Sequence, residues 1–501
     1  MPDREIPDPQ GGIPSRALAP DQDAELAAGG TLAAMLSTKP PPLEIDEDLL
    51  DRFGGRGPRY TSYPTADRFH AGFTHEDYDR ALLRRADRRD EPLGLYVHVP
   101  FCRTICWYCA CNKIGTKHQE QSSPYLEAVL KELYLVKHRI GAGHRVSHLH
   151  FGGGTPTFMP DAELARLIGA FREAFDFAPD NEGEYSIEID PRTVDGARLR
   201  VLRDLGMNRV SLGVQDFDLE VQKAVNRIQP KELTIALIEA ARDSGFRSVN
   251  VDLIYGLPKQ TPDSFRRTVE QTIAAGPDRI ALYHYAHLPT LFKPQRRIAE
   301  ADLPSSPDKA RMFEEAVRLF EAAGYLYLGL DHFARADDEL AIAQREGRLN
   351  RNFQGYTSHS SGDLIALGVS AIASVGDVYA QNEKVLQGYY DALAADRLPV
   401  SRGIRLNRED FIRRDAIESL MCRFELDWGW LARRRGVDGA RHFERELASL
   451  APLVEAGAVR IDDAGVTVLP RGRLLVRAVA MAFDEYLGKG ARPAGGYSRI
   501  A

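Results

Sequence analysis

The sequence predicts a parallel α/β protein. Six β-rich runs alternate with helical segments over about 200 residues, the rhythm of β-α units. Several runs end in polar or glycine-rich residues, as strands do when chemistry collects at their C-terminal ends. Four of the five cysteines crowd into FCRTICWYCAC at 101–111, directly after the first run.

The runs are LGLYVHVPF (93–101), VSHLHFGGG (146–154), EYSIEID (184–190), RVSLGVQDF (209–217), SVNVDLIYGLP (248–258) and RIALYHYAHLP (279–289). Between them, segments such as YLEAVLKELYLVKHRI and PKELTIALIEAARDSGF repeat apolar residues with helical spacing. A closed or partial barrel and a doubly wound open sheet both fit this rhythm. After Asp331 the stretch ADDELAIAQREGRLNRNFQGYTSHSSGD is polar and punctuated by Gly and Asn, and reads as a loop-rich connection. The C-terminal region ends in a hairpin pattern followed by an apolar helix, a winged-helix-like outline without a basic recognition face. The first 42 residues hold eight of the 29 prolines and no aromatic residue, which predicts a disordered tail.

Composition narrows the function. An apolar fraction of 44% and a charged fraction of 27% are those of a folded globular chain. A net charge of −7 argues against general nucleic-acid binding. No apolar run reaches a membrane span of about 20 residues, and no secretory signal opens the chain. Clustered cysteines are no disulfide framework, so a reducing, cytoplasmic setting is expected.

Cys102, Cys106 and Cys109 admit three readings. They could be the buried face of a helix, but Pro100 and the strand-like YVHVPF before them favour a loop. They could bind zinc, but a closed site needs four ligands, and the only remote cysteine is Cys422. Three thiolates on one loop can also each hold one iron of a cubane cluster, leaving the fourth iron open to a small molecule. Such a cluster on a large α/β scaffold points to catalysis. A single residue separates Cys111 from Cys109, too short a gap for both to reach adjacent corners of one cube with ease.

CRTICWYC has the CxxxCxxC pattern of the radical S-adenosylmethionine (SAM) enzymes. With GPRYTSYPTA (57–66), CNKI, LHFGGGTPT, SIEIDPR, GVQDF, DLIYGLPKQTP, YAHLPT, DHFAR, RNFQGYT and GVSAIASVGD, the chain resembles the oxygen-independent coproporphyrinogen III oxidases from about residue 45 onward. The resemblance implies a partial (β/α)6 TIM-like barrel with an N-terminal arm and a mostly helical C-terminal domain. It implies a [4Fe-4S] cluster on Cys102, Cys106 and Cys109 and two molecules of SAM. An electron would cleave SAM to a 5′-deoxyadenosyl radical, which removes hydrogen from a propionate β-carbon. Loss of CO2 and of one further electron leaves a vinyl group, twice per substrate. Ala110 stands where the family commonly has Gly.

Residue by residue, the resemblance assigns Gly153, Gly154 and Thr155 to the methionine moiety, and Glu188, Gln215, Arg227 and Asp252 to polar contacts with SAM. Arginine suits a carboxylate, and a carboxylate suits an ammonium or ribose hydroxyls. Tyr96 and Tyr108 would be aromatic contacts, and Gly154, Thr155, Ala286 and Ile372 would serve the second SAM. Glycine allows close backbone approach to a ligand. Tyr96, Glu188 and Cys111 are the expected catalytic group. Arg59 in the arm and Gln354 in RNFQGYT would meet the substrate propionates. The expected domains are a tail (1–43), an arm or lid (44–92), the barrel (93–335), a connection contacting substrate and SAM (336–400) and the C-terminal domain (401–501). An external flavodoxin-type reductant and a monomeric chain complete the reading. A haem chaperone on the same scaffold is the alternative; such relatives lack the GPRYTSYPTA arm and the fourth cysteine.

Overall fold

The computed structural model describes residues 43–359, 362–487 and 497; the expected tail lies outside them, but for residue 43. Six parallel strands form where the six runs were read: β1 (Leu93–Val99), β2 (Arg145–Gly153), β3 (Glu184–Ile189), β4 (Arg209–Gln215), β5 (Ser248–Tyr255) and β6 (Arg279–His284). Each pairs in parallel with the next. The helices that follow them are α1 (Ser122–Ile140), α2 (Asp161–Ala174), α3 (Gly196–Asp204), α4 (Lys231–Asp243), α5 (Pro262–Ala275) and α6 (Ser306–Ala322). Local signals set their ends. In α5, Thr261 caps the first turn in a capping box with Ser264, Pro262 opens it, and Gly276 closes it in the left-handed region at φ 62°.

The strands alternate. In β4, Val210, Leu212 and Val214 are buried while Ser211, Gly213 and Gln215 are only partly so. In β5, Val249, Val251 and Leu253 alternate with Asn250, Asp252 and Ile254. Strands of a parallel sheet are usually apolar on both faces. Here the apolar face packs under the helices, and polar side chains line the other.

The sheet does not close. Four further strands extend it beyond β1: β9 (Asp363–Leu367) pairs with β1 in parallel, then β10 (Ile372–Val375), β11 (Val378–Asn382) and β12 (Val400–Arg405) follow antiparallel. At the other side, β8 (His332–Arg335) joins β6 antiparallel and β7 (Tyr325–Gly329) forms the edge. The order is thus β7-β8-β6-β5-β4-β3-β2-β1-β9-β10-β11-β12. The polar stretch after Asp331 is therefore more regular than its composition suggests. It also holds a helix, Glu339–Arg345, and a hairpin of Asn350–Asn352 with Gly355–Thr357. β9 takes its order from pairing with β1, a long-range contact that no local pattern announces.

The turn after β9 is fixed from α1. Buried Glu132 accepts hydrogen bonds from Gly368 N at 2.8 Å, Asn382 Nδ2 at 2.7 Å and Tyr389 Oη at 2.6 Å. Burial holds this carboxyl up at about 7, against the pull of those donors. Between the ordinary carboxylate value and about 7, the folded chain keeps a proton that the unfolded chain has lost. Stability therefore falls as pH rises through that window, by on the order of 3 kcal/mol. Glu132→Gln, which mimics the protonated form, is expected to gain melting temperature relative to the parent between about pH 5 and about pH 8. A constant difference by calorimetry across that range would refute this account.

Residues 57–60 of the arm meet the C-terminal region. Arg477 donates to the carbonyls of Gly57 and Pro58, and Tyr60 Oη donates to Asp484 at 2.9 Å. The expected hairpin is Val459–Ile461 with Gly465–Val468, joined by Glu425–Asp427 into a small sheet, and the apolar helix Val476–Ala482 follows. No helix among the described residues is long and apolar enough to cross a membrane.

Candidate active site

The cysteine loop begins where β1 ends. Its backbone is pinned on both sides: Ile114 N donates to Pro100 O at 2.7 Å and Thr116 N to Cys102 O at 2.9 Å. Just past β2, Gly154 N donates to Val99 O at 2.8 Å and Thr155 N to Phe101 O at 2.9 Å. Trp107 N donates to Val225 O at 2.9 Å, and Gln295 Nε2 donates to Tyr108 O at 2.9 Å. An irregular loop thus gains a fixed shape from partners on four other segments.

Each thiol has its own surroundings. Cys106 is buried and accepts from Arg227 Nη1 at 3.4 Å and Arg192 Nη2 at 3.6 Å. Asp190 answers both arginines, at 2.6 Å from Arg192 and 3.3 Å from Arg227. Cys102 accepts from Thr155 Oγ1 at 3.6 Å, and burial pushes its thiol up to about 12. A hydrogen bond from Cys111 pulls Cys109 down to about 6, with Lys113 assisting against burial. The same bond holds Cys111 above its ordinary value, and its residue is exposed.

Among the described residues, no three His, Cys, Asp or Glu side chains converge as a single metal ion requires. Three separated thiols on one loop, with two guanidiniums beside them to offset thiolate charge, fit a cubane cluster better than a lone zinc ion.

Beside the loop, β1 to β3 build a polar row. Tyr96 stacks on His150 with centroids 5.8 Å apart and planes at 13°. Tyr96 Oη lies 3.1 Å from His98 Nδ1, and His98 Nε2 lies 2.9 Å from Asn112 O. A carbonyl can only accept, so His98 carries its proton on Nε2 and takes the tyrosine hydroxyl on Nδ1. His150 bonds Ser186 Oγ at 2.6 Å and Glu188 Oε1 at 3.2 Å. Glu188 also accepts from Gly153 N at 3.1 Å.

Two carboxylates here part company. Burial raises Glu188, but the hydrogen bonds from His150 and the Gly153 amide outweigh it and hold the group below its ordinary value. Asp252, bonded by Ser211 at 3.1 Å and Asn250 at 2.8 Å, is pushed up to about 7 by burial and by the charge of Glu188. Such divergent environments mark functional carboxylates.

Glu188, Asp252, His150 and Gln354 line one cavity of about 140 Å³ on the polar face of the sheet. Tyr283, His332 and Tyr356 form its far wall. Arg59 lies 5.8 Å over the Tyr283 ring and pairs with Asp331. Gln354 Oε1 is buried at that cavity without a hydrogen-bond partner, and Gln215 Oε1, at the end of β4, is likewise buried and unbonded. Gln215 adopts φ 68° and meets Arg227 over Gly213, where a Cβ would lie 2.9 Å and 3.0 Å from their nitrogens.

The expected residues thus fall into groups. Cys102, Cys106, Cys109, Thr155, Gly154 and Arg227 meet at the loop; Tyr96, Gly153 and Glu188 share the polar row; Asp252 and Gln354 line the cavity. Tyr108 packs with Trp107 against Val221, Val225 and Tyr285. Ala286 is exposed on the loop after β6, its carbonyl 3.2 Å from Gln295 Nε2. Ile372, at the start of β10, packs on the Phe69, Tyr379 and Phe353 cluster instead of the cysteine loop. The close approach that Gly154 permits is to the backbone of Pro100 and Phe101.

Sequence reading missed His98, His150, Asp190, Arg192 and Gln295. HVP, LHF and the Asp-Pro-Arg of SIEIDPR, beside Tyr96, Gly153 and Glu188, are the only sequence signals for the first four. Gln295 had none. Arg351 was also missed: its side chain stands 4.8 Å over the Tyr356 ring, with Nε and Nη1 buried and unbonded.

The chain matches the Radical SAM superfamily model over residues 96–272 and the HemN C-terminal domain model over 406–475. It is 49% identical over 442 residues to the oxygen-independent coproporphyrinogen III oxidase of Pseudomonas aeruginosa, covering 88% of this chain and 96% of that one. The enzyme of the same name from Escherichia coli is 48% identical over 453 residues, covering 90% and 97%. The solved structure of coproporphyrinogen III oxidase (HemN) from Escherichia coli superposes with TM-score 0.84 at 46% identity, over 89% of this chain and 100% of that one. With its cysteine loop intact and near-complete overlap with those relatives, the chain belongs to the oxygen-independent coproporphyrinogen III oxidase family of radical SAM enzymes.

Proposed function

We propose that this chain decarboxylates two propionates of coproporphyrinogen III to vinyl groups without oxygen, giving protoporphyrinogen IX in haem biosynthesis. The observation that carries this reading is a loop of three available thiols beside a polar cavity, in a chain 49% identical to an enzyme of that name over 96% of its length. The GPRYTSYPTA arm and Cys111 are both present, which favours the oxidase over a haem chaperone.

Cys102, Cys106 and Cys109 would hold a [4Fe-4S] cluster. Cluster and SAM together supply the radical that removes hydrogen from the propionate. Arg192 and Arg227 offset thiolate charge, and Asp190 keeps them in place. Ionised Glu188 and the Gly153 backbone suit the ammonium of SAM, with Tyr96 held upright by His98 and His150. Tyr108 would wall the methionine side. Gln215, Arg227 and Asp252 add polar contacts around the same ligand. A second SAM would rest on Gly154, Thr155, Ala286 and Ile372. Arg59 and Gln354 would receive propionates, and the arm that carries Arg59 would cover the site and exclude water. Cys111 acts beside the cluster and does not ligate it. The reading takes an external flavodoxin-type reductant, a monomeric chain and a cytoplasmic setting.

Anaerobically reconstituted protein, given SAM and a reductant, is expected to convert coproporphyrinogen III to protoporphyrinogen IX, read as vinyl product by chromatography. Tight haem binding with no vinyl product would support the chaperone instead.

A further inference from the structure

The radical SAM reading requires an electron from outside the chain, and the loop after β6 carries an exposed basic turn beside the cysteine loop. The turn Lys293–Arg297, KPQRR, presents Lys293, Arg296 and Arg297 as exposed residues. None of the ion pairs among the described residues involves these three cations, in a chain whose net charge is −7. The acids on the next turn are Glu300 and Asp302, and Asp302 pairs with Lys259 at 2.6 Å.

This basic turn is fixed to the cluster loop. Gln295, 1% exposed, donates from Nε2 to Tyr108 O at 2.9 Å and accepts Leu288 N on Oε1 at 2.6 Å. Arg297 lies 5.7 Å over the ring of Trp107, the residue between Cys106 and Tyr108. Arg296 is steadied by a hydrogen bond to Pro289 O at 3.0 Å. Leu291, 45% exposed, adds an apolar contact beside the turn. Exposed cations around a small apolar centre steer and hold an acidic partner. A partner seated there would stand against Trp107, directly over the thiol loop.

We propose that the Lys293–Arg297 turn, with Trp107 and Leu291, is the docking surface for a small acidic one-electron carrier protein. The carrier is oxidised by one electron and the cluster is reduced by one, with no atom transferred. The inference rests on the radical SAM reading above and locates the surface that receives the reductant which that reading takes.

The test uses the reconstituted holoenzyme and a bacterial flavodoxin, with dithionite as a small reductant that needs no docking surface. In the Arg296→Glu/Arg297→Glu variant, flavodoxin affinity by calorimetric titration at low salt is expected to fall about tenfold or more. The steep salt dependence of the parent should flatten. Cluster bleaching and SAM cleavage driven by dithionite should match the parent. Arg297→Gln should weaken binding less, which keeps the test open if the double variant folds poorly. Unchanged flavodoxin affinity in both variants would overturn the proposal. So would an equal loss of dithionite-driven reduction, since the turn would then serve only to shape the loop. Failure of the parent to cleave SAM with dithionite would instead defeat the radical SAM reading itself.

Discussion

Cys106→Ser is expected to lose the cluster and all turnover, while Cys111→Ser keeps its iron and sulfide. Cys106 is the buried thiol of the loop, facing Arg227 at 3.4 Å and Arg192 at 3.6 Å. Serine is a poor iron ligand at neutral pH, because its hydroxyl stays protonated where a thiol becomes a thiolate. Its loss would also leave the two guanidiniums facing an uncharged hydroxyl, with only Asp190 to answer them. Cys111 is exposed and hydrogen-bonds Cys109. Serine there alters one donor to Cys109 and leaves the three thiols proposed as ligands in place. Iron and sulfide per chain, together with the cluster's visible absorbance, separate the two cases. Equal metal loss in both variants would make Cys111 a ligand and refute the division drawn here.

Gly154→Ala should be nearly as damaging, for a reason of backbone geometry. A Cβ at residue 154 would lie 2.6 Å from Pro100 O, 2.7 Å from Pro100 C and 2.8 Å from Phe101 O. All three are backbone atoms at the root of the cysteine loop, and they cannot turn aside as a flexible side chain would. The end of β2 must therefore shift away from β1, breaking the Gly154 N and Thr155 N bonds to Val99 and Phe101. Overpacking of this kind costs about 1–3 kcal/mol, more when backbone must move. The variant is expected to melt a few degrees lower and to bind less than half the parent's iron. Gly169→Ala is the control: nothing lies within 4 Å of the added Cβ on α2, and alanine is the better helix former. It should keep full cluster content and gain slightly in stability. Full iron content in Gly154→Ala would show that the loop root tolerates displacement.

Local pattern determined much of this molecule. The six runs became β1 to β6 because each alternates or sustains apolar residues between breakers, a signal carried within one segment. The cysteine spacing told of a cluster with an open position because ligand count and interval are properties of a single loop. The C-terminal hairpin and its apolar helix were legible for the same reason. Whether the sheet closes was not legible in the periodicity, and only the resemblance implied a partial barrel, because closure depends on which strand finds the free edge of β1. The structure gives that edge to β9, 264 residues further on (363 − 99), so the sheet stays open. The expected SAM contacts were placed by resemblance, and only the folded chain decides their company. It seats Glu188 on the Gly153 amide beside His150, sets Asp252 apart at about 7, and carries Ile372 into an aromatic cluster. Gln295 is the clearest case of what sequence leaves undecided. Nothing in KPQRR announces its partner, since Tyr108 lies 187 residues away and only tertiary packing brings that carbonyl within reach.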